Sequence, residues 1–322
     1  MRKVMIGFIG LVVFFGFAVS TAHSWGSLTH VYMAQHLKRQ AGPLSLDEIY
    51  GIVSPDIFNY MFTPPYIYYR DHLHDGTHNQ FMQLWDAVEK GYEKPIAWGF
   101  VAHNDVWGSD STAHHNSRTL FPNEGYVITK ATMLHNMLMT IPEYAALGLP
   151  YEVSVEVSHN IVEAAGDVII MRADPSLGGQ LVKGAMRPNQ VFSDLLIEAY
   201  APGLAQFSSM TPFVLDYQSA VQIIWGAEAE FRAYMVAYGT LFQQEEAVVI
   251  EGIVLDFENL AYSYLTALGI ELPSGTDLKP LIRAALQMSF AIMEQDYLPE
   301  ILSTIDYVDY QMKAYKIGQK TK

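Results

Sequence analysis

With 322 residues, half of them apolar, the chain can bury a sizeable core, which excludes an intrinsically disordered protein. It has 19 basic and 34 acidic residues and a net charge of −15, so tight binding of duplex nucleic acid through phosphate neutralisation is not expected. The chain has no cysteine. Disulfides are therefore excluded, and any metal site must use histidine, carboxylate or backbone ligands.

Residues 1–24 have the pattern of a cleavable secretory signal. Two basic residues precede an apolar run from 4 to 19, and the small residues Ala22 and Ser24 stand just before the expected cleavage point. We expect cleavage before Trp25 and a secreted or periplasmic protein, whose net charge is then −17, from 17 basic and 34 acidic residues. A single membrane anchor is the alternative, but the apolar run is short for a span of roughly 20 residues.

Cleavage would make Trp25 the first residue of the mature chain. The pKa of an α-amino group, about 7.7–8.0, lets a metal displace its proton at neutral pH, and the Trp25 carbonyl could complete a chelate ring. His30 follows in the first turns of a helix with the sequence SLTHVYMAQHLKRQ, for which Ser27 is the predicted N-cap. Trp25 and His30 are candidate ligands, although His30 taken alone is also typical of an ordinary boundary histidine.

Asp56 and a histidine-rich stretch come next. Pro55 predicts that Asp56 lies on a turn, where its carboxylate either faces inward or caps the following helix. A histidine-rich loop of an exported protein is either part of a built site or an adventitious metal scavenger. The sequence DHLHDGTHNQF contains the three histidines in question, His72, His74 and His78.

The stretch FVAHNDVWGSDSTAHHN (100–116) gives the strongest indication of metal chemistry. If it is helical, offsets of four, three and four place positions 103, 107, 110 and 114 on one face. His103, Asp110 and His114 then project together, and two imidazoles with a carboxylate are a typical zinc-ligand set. The competing interpretation is a solvated polar helix face.

A second helical pattern, YEVSVEVSHNIVEAAGDVIIMR (151–172), places His159 and Glu163 one turn apart on one face. This His-x-x-x-Glu spacing suits a metal ion, and a solvated acidic face is the alternative. On the preceding helical segment, His135 is predicted to be a core or boundary residue.

Residues 174–322 contain no histidine. Stripes of Leu, Ile, Met and Phe between proline and glycine signals predict helices at 188–200, 216–241, 244–268, 279–295 and 297–315. Strand-like alternation is scarce throughout. We therefore predict an all-α, multi-helix bundle, with a single domain over 25–322 that has its metal-ligand half at 25–173 and a helical half at 174–322.

The ordered set of motifs resembles the zinc-dependent phospholipase C family, within the phospholipase C and zinc nuclease superfamily. The motifs are a mature N-terminal Trp, His at plus five, Pro-Asp on a turn, His-x-x-Asp, His…Asp…His and His-x-x-x-Glu, and they span 25–163. The rest of the chain has only its helical character in common with the family. The resemblance implies an all-α fold and a trinuclear zinc site.

Carried over by position, the resemblance implies a ligand set for each of three zinc ions. His72 is preferred over His74 and His78 because the segment looks like the family's Asp-His-aromatic-x-Asp sequence, in which the first histidine is the ligand. The first ion would be held by Asp56, His72, His103 and Asp110, the second by the Trp25 amine and carbonyl, His30 and the shared Asp110, and the third by His114, His159 and Glu163.

Two spacings depart from the family pattern. Asp110 stands seven residues after His103, where the family usually has its bridging aspartate at plus four, so Asp105 or a bulged helix is an alternative. His114 follows that aspartate at plus four and not at plus six, which keeps His115 as an alternative ligand.

The resemblance implies a phosphodiesterase with a phospholipid or other phosphodiester as substrate. We hypothesise that Asp56 orients or deprotonates the attacking water. Tyrosines at 66, 68 and 69 are candidates for a cation–π contact with a headgroup, and contact with a membrane surface is expected to be transient. Two alternatives stay open. One is a zinc nuclease or 3′-nucleotidase, which the start Trp-Gly-Ser-Leu-Thr-His also resembles; the other is a non-catalytic export protein whose helices are stabilised by metal.

Overall fold

The computed structural model describes residues 25–37, 42, 44–61, 66–120, 123–187, 190–267, 272 and 276–317. All regular secondary structure of these residues is helical, which confirms the predicted all-α class. The signal sequence predicted for 1–24 lies outside them. The α-helices are α1 (Ser27–Leu37), α2 (Leu44–Val53), α3 (Ile67–His78), α4 (Met82–Ala87), α5 (Lys94–His103), α6 (Ser109–His114), α7 (Tyr126–Leu138), α8 (Pro142–Ala145), α9 (Tyr151–Ala173), α10 (Leu177–Met186), α11 (Gln190–Ser208), α12 (Tyr217–Leu241), α13 (Glu246–Ala267), α14 (Lys279–Met293) and α15 (Tyr297–Ala314), and two 3₁₀ helices span Ser54–Tyr60 and Gly91–Glu93.

Most helices of the second half lie close to their predicted positions. The bounds of α12 to α15 are within about two residues of the expected ones. Helix α11 runs to Ser208 and not to 200, because it continues through Pro202 to bury Leu204 in the core. Helix α10 was not predicted.

Helices α2 and α5 cross at close range, and this crossing fixes the residues at the end of α5. A Cβ atom on Gly51 would lie 2.1 Å from the carbonyl oxygen of Ile96, and one on Gly99 would lie 2.1 Å from that of Glu48. No Cβ atom fits at that distance, so only glycine allows the crossing. It brings the backbone of Ile52 beside the last residue of α5.

Helix α1 is capped by a residue of another helix. The N–H groups of Leu28 and Thr29 each donate a hydrogen bond of 2.9 Å to the carboxylate of Asp167. Asp167 lies on α9 and is fully buried. The capping role predicted for Ser27 therefore falls to a carboxylate far along the chain, which fixes α1 against α9.

The two halves of the chain pack directly against each other. Helix α10 contacts α1 and α2, and α15 contacts α1 and α6. Buried rings from both halves join the same core, including Phe100 and Phe192. Among the described helices, none is both long and apolar enough to cross a bilayer.

Candidate metal centre

The segment 100–116 is not one continuous helix, and this corrects the prediction that its polar residues share a helix face. Helix α5 ends at His103 and α6 begins at Ser109. Between them, the Asn104 side-chain oxygen accepts three backbone N–H groups, those of 106, 107 and 108, at 2.8–3.2 Å. With this turn between the two helices, His103 Nε2 and Asp110 Oδ2 lie 2.9 Å apart despite their seven-residue spacing. Asp110, and not Asp105, is therefore the aspartate beside His103.

Helix α1 contributes His30 to the same place. Its ring stacks on His103 with centroids 4.3 Å apart, and its Nε2 lies 3.6 Å from Asp110 Oδ1. His30, His103 and Asp110 are all fully buried, and their donor atoms lie within 4.8 Å of one another. The three side chains form the first inner group.

The structure brings His78, and not His72, to the second inner group. His78 Nε2 lies 3.4 Å from Asp56 Oδ1, 3.4 Å from Asp110 Oδ2 and 3.3 Å from His103 Nε2. His72 and His78 are six residues apart on α3, which is about 240° around the helix, so they face different sides. The ring of His72 stacks on Phe207 at 4.2 Å. Asp56, His78 and His103 form the second group.

The outer nitrogens of two inner histidines are held by backbone carbonyls. His103 Nδ1 lies 2.7 Å from the oxygen of Ile52, and His78 Nδ1 lies 3.0 Å from that of His74. Each Nδ1 therefore donates its proton outward, and the Nε2 of each ring directs a lone pair into the cluster when that ring is neutral. Metal-bound histidines typically donate the N–H of their other ring nitrogen to a backbone carbonyl in this way. Where lone pairs of nitrogen and carboxylate oxygen face each other, a cation is needed between them.

Most of the inner separations also match those of ligands around one ion. Ligands about 2.0–2.2 Å from a tetrahedral zinc lie roughly 3.3–3.6 Å from each other. The Asp110–His30, Asp56–His78 and His78–His103 distances are 3.6, 3.4 and 3.3 Å, whereas His103 Nε2 lies closer to Asp110, at 2.9 Å, and slightly farther from Asp56, at 3.7 Å. The residues present thus fit a divalent cation by donor type, by tautomer and by spacing.

Burial and the charges of neighbouring side chains have opposing effects on the pKa values of the inner residues. Burial alone would lower the pKa of His103, but Asp110 and Asp56 outweigh it and raise that pKa to about 9. Burial opposes ionisation of Asp110 and Asp56, yet His103 holds the pKa of both carboxyls below its usual range. Burial, with His103 nearby, lowers the pKa of His30 to about 3. The cluster holds two carboxylates and attracts one positive charge, which is either a proton on His103 or a metal ion.

A third group lies nearer the surface and differs from the predicted third set. Asp105 Oδ1 is 3.0 Å from His114 Nδ1, and Asp105 Oδ2 is 3.1 Å from His115 Nε2. The pKa of Asp105 is below its usual value, because hydrogen bonding to His114 and its charge outweigh burial. His159 Nε2 and Glu163 Oε1 are 2.7 Å apart on α9, and the ring of His159 lies 5.9 Å from that of His114. His114, His159 and Glu163 are thus neighbours, while the His115 side chain is 59% exposed.

Trp25 lies beside the helix that carries Asp110. Its indole N–H donates to the Ser109 carbonyl at 2.9 Å and lies 3.2 Å from the Thr112 hydroxyl. Its ring is buried. The ligand role predicted for the Trp25 amine requires cleavage of residues 1–24, which lie outside the described residues, so that role stays a prediction.

Sequence reasoning passed over His78 and His74 in favour of His72, and it missed Asn59, which contacts Asp56 and His74. The signal that finds His78 is helical spacing: His74 and His78 are four residues apart on α3, and their rings lie 3.9 Å apart. His135 is buried as predicted, with its Nδ1 2.7 Å from the Ser154 hydroxyl.

Comparisons of the chain with protein-family models, with curated proteins and with solved structures found no match. The geometry therefore stands by itself: buried clusters of histidine and aspartate that could hold a metal ion.

Proposed function

We propose that the protein is an exported zinc-dependent phosphoric diester hydrolase of the phospholipase C type. The single observation that supports this most is the position of Asp110 between two adjacent buried groups, with Oδ1 3.6 Å from His30 Nε2 of the first group and Oδ2 3.4 Å from His78 Nε2 of the second. A shared carboxylate between adjacent groups suits neighbouring cations, and paired cations suit the two anionic oxygens of a phosphodiester. The resemblance of residues 25–163 to the zinc-dependent phospholipase C family points to the same chemistry.

The proposal assigns the ions to sets of side chains. When bound, zinc supplies positive charge for phosphate oxygens and acidifies a water molecule. Asp110 lies between the two inner groups, so its two oxygens serve both. The inner ions are assigned to His30 and Asp110 and to Asp56, His78 and His103, because the one lone pair of His103 Nε2 can bind only one ion; a third is assigned to His114, His159 and Glu163.

Asp56 is the inner carboxylate that is best placed to contact a water molecule. It is 8% exposed, whereas Asp110 is 0% exposed. Its Oδ1 accepts a 2.6 Å hydrogen bond from Asn59 Nδ2. Burial alone would raise the pKa of Asp56, but His103 and His78 hold it below its usual range, so the carboxylate is ionised at neutral pH and can orient a water molecule by accepting its hydrogen bond.

An exposed apolar surface on the helix that carries His78 favours a lipid over a nucleic acid as substrate. At the start of α3, Tyr66, Ile67 and Tyr68 are exposed. The ring of Tyr68 lies 5.2 Å from that of the exposed Phe213. Ten residues of helix place His78 about 15 Å from Tyr68. An apolar, tyrosine-bearing surface suits the interface of a zwitterionic bilayer, whereas a net charge of −15 opposes nucleic acid.

Tyr69 does not belong to that surface. It is buried, and its hydroxyl donates to the Phe213 carbonyl at 2.6 Å. The proposed headgroup contact is therefore restricted to Tyr66 and Tyr68.

The test combines zinc analysis with two substrates on one preparation. The mature protein is expected to contain close to three zinc ions per chain and to release a phosphorylated headgroup from phosphatidylcholine vesicles. Because Asp56 is also assigned to an ion, Asp56→Asn is assayed at saturating zinc, where it should still lose at least about 100-fold in turnover, as expected for loss of the group that orients or deprotonates the attacking water. Turnover of single-stranded DNA but not of lipid would favour the nuclease, and zinc without turnover of either would favour a metal-stabilised, non-catalytic protein.

A further inference from the structure

A hydrogen-bonded chain connects Asp56 to helix α3 through two side chains. Asn59 Nδ2 donates to Asp56 Oδ1 at 2.6 Å, and His74 Nδ1 lies 2.8 Å from Asn59 Oδ1. Asn59 is buried and His74 is half-buried. Neither residue belongs to the groups assigned to metal ions above.

The chemistry of the three groups fixes the direction of both hydrogen bonds. An ionised carboxylate only accepts, so the Asn59 amide must face Asp56 with its nitrogen. Its oxygen then faces His74 and accepts, so His74 carries its proton on Nδ1. Rotating the Asn59 amide by 180° would break both bonds, and the chain therefore holds Asp56 in one orientation.

The backbone carbonyl of His74 also contacts His78, the histidine that lies beside Asp56. The carbonyl oxygen of His74 lies 3.0 Å from His78 Nδ1, and the two rings lie 3.9 Å apart. One residue thus orients the Asp56 carboxylate through its side chain and the His78 imidazole through its carbonyl.

We infer that Asn59 and His74 are positioning residues that hold Asp56 and His78 at the 3.4 Å separation required of two ligands of one divalent cation. This inference rests on the metal-binding part of the proposed function and not on the identity of the substrate. Groups that orient metal ligands in this way contribute about 10–100-fold to metal affinity.

The experiment measures zinc affinity by competition with a chromophoric chelator, and no substrate is needed. Asn59→Leu removes both hydrogen bonds, and His74→Leu removes the donor to Asn59. His74→Asn keeps an amide nitrogen two bonds beyond Cβ, where Nδ1 stands in histidine. The control is His36→Asn, because His36 is exposed on α1 and its Nδ1 lies 2.8 Å from the Tyr32 carbonyl of its own helix.

We expect one zinc equivalent to bind about 10–100-fold more weakly in Asn59→Leu and in His74→Leu. His74→Asn should restore affinity to within about threefold of wild type, and His36→Asn should match wild type. The visible absorption of the Co²⁺-loaded protein should change in the two leucine variants and return in His74→Asn, since it reports ligand geometry rather than global stability.

Unchanged zinc affinity in Asn59→Leu, or equal affinities of His74→Asn and His74→Leu, would overturn the inference. The comparison of the two His74 variants holds even if both lower the melting temperature. Wild-type protein that binds no zinc would overturn this inference and the proposed function together. Wild-type protein that binds zinc without hydrolysing any phosphodiester would overturn only the proposed function.

Discussion

Two buried carboxylates of this protein, Asp110 and Asp167, have opposite surroundings. Asp167 accepts hydrogen bonds of 2.8–2.9 Å from two backbone N–H groups and the hydroxyls of Thr29 and Tyr238. Asp110 instead faces ring nitrogens of three histidines at 2.9–3.6 Å. Both are fully buried. Burial therefore does not distinguish a structural carboxylate from a candidate ligand, but the chemistry of the partners does.

The difference also appears in the pKa values. Burial raises the pKa of Asp167 to about 6, because its neutral donors offset only part of the desolvation. At Asp110, the charge of His103 reverses the effect of burial and lowers the pKa. A carboxylate among neutral dipoles fixes a helix end, whereas one among imidazoles requires a cation.

The Asp167 cluster also gives the histidine-free half of the chain a role. Tyr238 on α12 donates to Asp167, and the Tyr297 hydroxyl on α15 lies 2.7 Å from that of Thr29. Thr29 precedes His30 on α1. The second half of the chain therefore holds the helix that places His30 in the inner group.

Substituting the two carboxylates in the same way should separate their roles. Asp110→Ala should weaken binding of the inner zinc ions by at least about 1,000-fold, since even changes behind the ligands cost 10–100-fold. Asp167→Ala should weaken it by less than about tenfold. Both affinities are measured by chelator competition. Equal losses of zinc affinity in the two variants would contradict the assignment of different roles to Asp110 and Asp167.

A comparison of two histidines of α3 tests the revised ligand set. His78→Ala should lose about 100-fold or more in affinity for one zinc ion, because its Nε2 faces Asp56, His103 and Asp110. His72→Ala should bind zinc as wild type does and lose only its stacking on Phe207. The opposite result would restore His72 as the ligand.

The affinity for zinc should decrease as the pH is lowered. His103 has a raised pKa of about 9 without metal, so below pH 9 an incoming ion must displace its proton. One displaced proton predicts about a tenfold loss per pH unit, or about 100-fold between pH 8 and pH 6. Calorimetry in buffers of different ionisation enthalpy should detect the released proton. An affinity independent of pH over this range would show that His103 is not a ligand.

The free energy of unfolding should be affected most clearly by substitution of Asp167. Asp167→Ala leaves the Leu28 and Thr29 N–H groups buried without their acceptor and removes the cap of α1, which should cost about 2–3 kcal/mol of unfolding free energy. Chemical denaturation of the metal-free protein measures this. A loss below about 0.5 kcal/mol would mean that α1 does not depend on the cap.

The all-α class followed from local periodicity, and so did the bounds of α12 to α15, because each helix buries one apolar face at helical spacing. The interruption at 104–108 did not follow. The Asn104 side chain accepts three N–H groups there, and a polar side chain that replaces backbone hydrogen bonds leaves no periodic trace. The geometry that joins His103 to Asp110 depends on that turn.

The choice among the histidines of α3 shows a second limit. A local likeness of sequence selected His72, but only one side of α3 faces Asp56, and the packing of α3 against its neighbours decides which side that is. The cap of α1 could not be predicted from the sequence either, because Asp167 lies 138 positions from Thr29. Such long-range partners depend on tertiary packing and not on a local pattern.

Anomalous X-ray scattering at the zinc absorption edge, from crystals of the zinc-loaded protein, tests the central claim most directly. We predict peaks bonded to Asp110 and His30 and to Asp56, His78 and His103, with no peak at Asp167. An absence of peaks at Asp110, or zinc found only at surface residues such as His115, would contradict the account.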